Sequence, residues 1–330
     1  VIRRPVLEMI DPGIQTTVQA WPGRTGILSD GYFPSGPMDH LSFRAANVLV
    51  GNDPGVSALE VDKVAVSVAF LAETQIALTG PEGVHARLND APVPLWETIR
   101  VSAGDTLRTA NPGRPGYRLY LAVRGGFDVP EVLGSAATSV ITGTGGIEGR
   151  ALLRGDVLGA PQKEPAVHRR LPEDQRPRFT ANWEIEILAG PRATPDFLTD
   201  EDWRDLLTMS WRVDLNSDRV GTRLHPHRFR WATGYGTVAG GHPSNVLDDA
   251  YPMGGVLANG DVLTILGMDA NTSGGFAVVA TVPHCALWKV GQVRPGRDTI
   301  RFREIEYQEA LALNRQVDFT VDQSRVGVVR

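Results

Sequence analysis

The 330-residue chain holds a single cysteine, Cys285, so no internal disulfide framework can form and a reducing compartment is expected. No apolar run approaches the roughly 18 residues of a membrane-spanning helix, so no membrane partner is expected. Positive charge is in deficit. The 33 Lys+Arg against 38 Asp+Glu leave a formal net charge of −5, which argues against a nucleic-acid binder. The sequence contains no G-x-S-x-G, no Walker A loop, no H-E-x-x-H and no C-x-x-C. It opens Val-Ile-Arg-Arg rather than on Met and shows no signal-peptide pattern. The expectation is a soluble, cytoplasmic protein that reads as a module excised from a longer polypeptide.

What is present is glycine and proline, 36 and 23 residues, around short β-branched runs. Val64–Phe70, Gln75–Thr79, Tyr117–Val123, Trp183–Leu188 and Val262–Leu266 each alternate or stay apolar and stop at turn residues, as strands do. Helical patterns are fewer: Asp39–Leu49 with Asp39 as N-cap, Thr199–Met209 with a capping-box start, and Tyr307–Asn314. Many strands, few short helices and abundant turns predict a mainly β fold of barrels or sandwiches. The proline- and charge-rich stretch Pro161–Arg178 reads as a linker. It divides the chain into an N-terminal domain over 1–160, a linker over 161–180 and a C-terminal domain over 181–330.

Few residues look like conventional chemistry. His225-Pro226-His227 lacks a carboxylate or cysteine in register, so no metal site is expected. Cys285 after His284 reads as a buried small residue rather than a nucleophile. Polar, glycine-rich clusters stand out instead: Ser35-Gly36-Pro37-Met38-Asp39, Arg124-Gly125-Gly126, Asn216–Arg219, His242–Asp249 and Ser273-Gly274-Gly275-Phe276. Small residues let a backbone approach a flat ligand, while amides and carboxylates supply its hydrogen bonds. The competing reading makes each a barrel corner or a helix cap.

These clusters carry a resemblance. Asp11–Gln19, Gly36–Asp39, Ala46–Asn52, Val123–Pro130, Gly149–Leu158, Asn216–Leu224, His242–Asn245 and Leu287–Gly296 together are similar to subdomains A and B of the urea carboxylase carboxyltransferase family. The same module occurs in the group formed by allophanate hydrolase subunit 2, KipA and the 5-oxoprolinase C-subunit. His242-Pro243-Ser244-Asn245 and Leu287-Trp288-Lys289 place the chain nearer the urea carboxylase branch. The resemblance implies two cyclophilin-like β-barrel subdomains. It also implies transfer of a carboxyl group from carboxybiotin to a nitrogen of a small acceptor. The biotin would ride on a separate carrier domain, with ATP used only at a partner biotin carboxylase domain. The site would be completed by a C–D module resembling allophanate hydrolase subunit 1.

Carried over residue by residue, Asp248 and Asp249 become the catalytic, acceptor-holding pair, with Asn245, His242, Arg219 and Lys289 also binding the acceptor. Arg124, Gly125, Gly126, Ser273, Gly274 and Gly275 become the biotin-facing set. One departure matters for the acceptor. Where urea carboxylases carry Asp-Asn, this chain carries Asp248-Asp249. An ionised carboxylate offers acceptors only, whereas an Asn amide also donates to urea's oxygen. The pair therefore points to guanidine, whose cation would satisfy two carboxylates. Urea, or a KipA-type protein-binding module without catalysis, are the alternatives. The competing structural reading pairs one aspartate with a nearby arginine, Arg219 or Arg223.

Overall fold

The computed structural model describes residues 4–111, 113–232, 234, 239–322 and the short strand at 327–328; the opening Val-Ile-Arg lies outside these. The chain divides into two units. The first holds 1–25, 35–179 and 316–330, and the second holds 26–34 and 180–315.

The first unit contains β1 (Pro5–Asp11), β2 (Thr16–Gln19), α1 (His40–Leu49), β3 (Ala58–Asp62), β4 (Val66–Phe70), β5 (Thr74–Thr79), β6 (His85–Leu88) and β7 (Ala91–Pro92). It continues with β8 (Thr98–Val101), β9 (Thr106–Ala110), β10 (Arg118–Val123), β11 (Val157–Gly159) and β12 (Arg169–Arg170). A six-stranded sheet, β11-β1-β4-β9-β6-β7, and a five-stranded sheet, β2-β3-β10-β5-β8, bury one apolar core between them. Val6, Leu7, Met9, Val68 and Phe70 come from the first sheet, and Leu59, Ile76, Leu78, Leu119 and Leu121 from the second. The alternation predicts a strand from Val64, yet β4 starts at Val66 because Lys63 and Val64 sit at φ +56° and +66°, in the left-handed region of a turn.

Helix α1 is buried at all ten positions and packs on β10 and β5, so its exposed backbone ends must find partners inside the protein. At the N-terminus Asp39 accepts from the Ser42 amide at 2.9 Å, the cap expected from the sequence. At the C-terminus Arg169 Nη1 donates to the Val48 carbonyl (2.8 Å) and Thr98 Oγ1 to that of Leu49 (2.7 Å). Arg124 Nη1 donates to the carbonyls of Val50 (3.2 Å) and Gly51. Two guanidinium groups at the negative end of a buried helix are favourable for both hydrogen bonding and the dipole.

The second unit contains β13 (Asn182–Ala189), α2 (Asp200–Thr208), β14 (Trp211–Arg212), β15 (Gly221–Arg223), β16 (Asn245–Ala250), β17 (Gly255–Asn259), β18 (Val262–Leu266), β19 (Ser273–Thr281), α3 (His284–Gln292) and β20 (Thr299–Glu304). Helix α4 (Tyr307–Thr320) starts in this unit, and β21 (Gly327–Val328) pairs with β12 in the first. The sheet order is β14-β20-β13-β19-β17-β18-β15, antiparallel except for the β13–β20 pair. Strand β19 has two jobs. Ala277–Thr281 lies in the core between β17 and β13, while Ser273–Phe276 runs on to pair with β16. That β16–β19 ribbon carries the polar clusters singled out above. Among the described residues no helix is long and apolar enough to cross a membrane.

Candidate functional site

The ribbon brings His242–Asp249 and Ser273–Gly275 together. Asn245 faces Phe276 in register, Asp249 faces Gly274 and Ala250 faces Ser273, with a bulge between Asn245 and Asp249. Bulges re-aim side chains and recur beside reactive sites. Gly274 is required by contact, because a Cβ there would lie 2.9 Å from the Tyr251 ring. The Tyr251 hydroxyl oxygen accepts from the Phe276 amide at 2.8 Å, tying the base of the ribbon. Burial, with Asp249 and Asp248 adding to it, holds that phenol above its ordinary pKa, so it stays protonated.

The two aspartates differ. Asp248 is exposed, and no hydrogen bond or ion pair engages its side chain among the described residues. Asp249 has a side chain only 10% exposed and is held by Arg192. Arg192 Nε donates to Oδ1 and Oδ2 at 3.2 Å each, and Nη2 donates to Oδ1 at 3.0 Å. The Val278 amide adds a longer bond to Oδ2 at 3.4 Å. The bonds to Asp249 raise the Arg192 pKa further, so the guanidinium stays charged. The expectation of two aspartates open to one cation therefore does not hold: Asp249 already holds a guanidinium. Its partner is neither Arg219 nor Arg223 but a residue 57 positions away.

Sequence reasoning missed Arg192, and the signal for it is slight. After β13 the chain passes through Gly190-Pro191, and the Gly190 and Arg192 amides donate to Val279 and Val278 at 3.0 and 3.1 Å. A Cβ on Gly190 would meet the Val278 carbonyl at 2.5 Å, so only glycine lets this segment lie against β19 and deliver Arg192 to Asp249.

His242 is fixed by its own turn. The Ser244 amide donates to Nδ1 at 3.1 Å, and Ser244 Oγ lies 2.9 Å from the same nitrogen while accepting from the Gly260 amide. An Nδ1 that accepts an amide proton carries none itself, so the ring proton resides on Nε2. The ring stands edge-on to Trp231, 5.4 Å between centroids. Asn245 donates from Nδ2 to the Gly240 carbonyl at 3.0 Å, which shapes the loop entering the ribbon.

Other expected site residues are engaged elsewhere. Arg219 is buried and donates to Asp269 at 2.8 and 3.3 Å. Lys289, on α3, donates to both Glu186 oxygens at 2.8 and 2.7 Å and to the Glu184 carbonyl. Arg124 caps α1, as described. The Gly125–Gly126 pair makes room for the protein's own chain rather than a flat ring. A Cβ on Gly125 would meet the Pro161 carbonyl at 3.0 Å, and one on Gly126 the Val56 side chain at 2.0 Å. His227 sits in an aromatic cluster with Trp211 and Phe229, and no group of metal-ligating side chains occurs among the described residues.

Cys285 is buried on α3, and burial first, then Glu186, pushes its thiol up to about 11. Its neighbour His284 meets Asn314 at 3.0 Å. A thiol of that pKa is roughly 0.1% thiolate at pH 8, so iodoacetamide should alkylate the native chain about 100-fold more slowly than the unfolded chain. Equal rates in a pH 8 labelling time course would show that the thiol is accessible and activated.

Known proteins share these segments. The family model for the carboxyltransferase domain, subdomain A and B, matches residues 30–304. The chain is 38% identical over 322 residues to the urea amidolyase of Saccharomyces cerevisiae, covering 96% of this chain and 17% of that protein. It is 32% identical to the 5-oxoprolinase C-subunit of Escherichia coli, covering 93% of each. The crystal structure of Kluyveromyces lactis urea carboxylase superposes with a TM-score of 0.92 at 38% identity, covering 99% of this chain and 30% of that one. The chain thus spans less than a third of the urea-processing relatives it matches.

Proposed function

The chain belongs to the carboxyltransferase family of subdomains A and B, and on that premise we propose that it helps carboxylate urea in a biotin-dependent carboxylase. The acceptor nitrogen would take the carboxyl group brought by carboxybiotin. The observation that carries urea over guanidine is the Arg192–Asp249 fork, which leaves the strand without the open carboxylate pair that a cationic acceptor would need. The likeness to urea-processing relatives supports the same choice.

In this reading Asp248, exposed on the ribbon, accepts the proton that the attacking nitrogen must lose, and Asn245 and His242 hold the loop around it. Ser273 and Gly275, on either side of the Gly274 that pairs with Asp249, face the biotin ring in this reading. Gly125, Gly126 and Gly274 are withdrawn from that role, since their Cβ positions are filled by Pro161, Val56 and Tyr251. Arg219 and Lys289 are withdrawn from acceptor binding, since Asp269 and Glu186 hold them. A C–D module, a biotin carrier and an ATP-using biotin carboxylase complete the enzyme, which would work in the cytoplasm.

The test is a steady-state assay of the chain assembled with those partners. ADP release should depend on urea, with kcat/KM for urea at least 10-fold above that for guanidine. A preference for guanidine would reverse the acceptor assignment. A second reading draws on the end-to-end match with the 5-oxoprolinase component. Stimulation by 5-oxoproline and by neither urea nor guanidine would favour that one.

A further inference from the structure

We propose that the cleft walled by linker residues 162–165 in the first unit binds a phosphate group, free or on a small organic carrier, through Arg4, Arg100 and Lys163. The linker is then the wall of a binding site rather than a plain tether.

The cleft has a volume of about 220 Å³. Glu73–Gln75 at the start of β5, Arg4, Arg100 and Arg124 line it together with residues 162–165, and all of them belong to the first unit. That is smaller than the roughly 300–1,000 Å³ of a drug-sized site and suits a small metabolite. Its wall is fastened in place. The buried Gln75 donates from Nε2 to the Ala166 carbonyl at 2.9 Å and accepts from the Ala166 amide at 2.6 Å. Arg124 Nε donates to the Glu164 carbonyl at 3.1 Å. Lys163 packs its stem over Gly125, where a Cβ would lie 3.2 Å from its Cγ.

The cations of the cleft are placed but not neutralised. Arg4 Nη2 donates to the Glu73 carbonyl at 2.8 Å, and a carbonyl orients a guanidinium without cancelling its charge. Arg100 stands opposite Gln75 in the β5–β8 register, which puts it on the face of the sheet where Gln75 grips the linker. The Arg100 guanidinium and the Lys163 ammonium make neither hydrogen bond nor ion pair among the described residues. Glu73 and Glu164 share the lining, yet neither carboxylate pairs with any of its cations. Four cations against two carboxylates leave two positive charges in excess, in a chain whose net charge is −5. A phosphate group carries about two negative charges near neutral pH, and guanidinium forks and ammonium groups are the donors that hold its oxygens. The Thr74 hydroxyl, which makes no hydrogen bond among the described residues, adds a neutral donor.

The experiment is calorimetric titration of the 330-residue chain with inorganic phosphate near neutral pH, against sodium chloride at matched ionic strength. Phosphate should saturate one site with a Kd of about 0.1–3 mM, and chloride should give no saturable heat. Glycerol phosphate distinguishes the two sources: tighter binding than inorganic phosphate assigns an ester, weaker binding the free anion. Arg100→Gln and Lys163→Gln change exposed side chains outside the hydrogen bonds that fasten the linker. Each should raise the Kd for phosphate about 5- to 20-fold, and the pair together should abolish saturation, with melting temperatures unchanged in the absence of phosphate. Arg100→Lys should retain part of the affinity. Arg301→Gln, which removes an exposed cation from β20 of the second unit, should leave the Kd as it is. An absence of saturable phosphate binding in the wild type would overturn the proposal. So would a double variant that binds as the wild type does, or an Arg301→Gln chain weakened as much as Arg100→Gln.

Discussion

For the proposed urea reaction of the assembled carboxylase, Asp248→Ala is expected to lower kcat by about 10²–10⁴-fold, the range that a positioned general base contributes. A urea nitrogen that attacks the carboxyl carbon must shed a proton, and the ribbon offers three groups that could take it. Asp249 has both oxygens occupied by Arg192. His242 has its lone-pair nitrogen occupied by the Ser244 amide and its proton on the other, which makes it a donor. Asp248 alone of the three is exposed, with neither hydrogen bond nor ion pair among the described residues. Because its side chain faces solvent, the substitution should shift stability by no more than about 0.5 kcal/mol. A melting curve superimposable on wild type therefore separates chemistry from folding. A kcat within threefold of wild type would remove Asp248 from the reaction.

The fold was more legible than the site, and the reason is range. Strands β5, β10, β13 and β18 and helices α1 and α2 announce themselves through local periodicity and capping residues. The Thr199–Asp202 capping box forms as its spacing indicates. Helix α3 gave no comparable signal, since its N-cap position is Pro283, with no side-chain cap, and it carries Gly291 near its end. The assignment of 26–34 to the second unit and 316–330 to the first is also tertiary and leaves no local mark.

At the site, the strand-borne cluster from His242 to Asp249 and the Ser273–Gly275 turn were both visible as polar interruptions in apolar sequence, and register brings them together. The charge partners were not visible. Arg192 with Asp249, Arg219 with Asp269 and Lys289 with Glu186 are separated by 57, 50 and 103 residues. Nothing in composition selects one arginine among many. Arg124-Gly125-Gly126 shows the opposite hazard, since a motif that looks like a ligand cradle caps a buried helix and admits its own chain.

Arg118→Met is expected to destabilise the first unit by about 3–5 kcal/mol, the usual cost of removing one member of a buried ion pair. Arg118 Nε lies 2.9 Å from Asp62 and 3.7 Å from Glu60, and the Arg118, Glu60 and Asp62 side chains are 4%, 2% and 11% exposed. Burial works against the Arg118 charge, and Asp62 and Glu60 overcome it, raising the pKa. Glu60 then organises the entry to α1. Its Oε2 accepts from the Met38 amide at 2.7 Å and from the Tyr120 hydroxyl at 2.8 Å, while that hydroxyl's oxygen accepts from the Asp39 amide. Burial, then Glu60 and Asp39, hold the Tyr120 phenol far above its ordinary range, so it remains the donor this arrangement needs. Methionine fills the space but leaves two buried carboxylates without their cation, and the α1 N-cap loses its support. The measurement should be thermal, because urea and guanidinium, the common denaturants, are the two acceptors under discussion. A drop of roughly 6–20 °C in the transition of the first unit is expected. Adding Glu60→Gln to the Arg118→Met chain should recover part of it, since an amide oxygen can still accept from Met38 and Tyr120 without a charge to bury. A shift below 2 °C for the single variant would mean that the network contributes little to stability, and the polar residues under α1 would need another explanation.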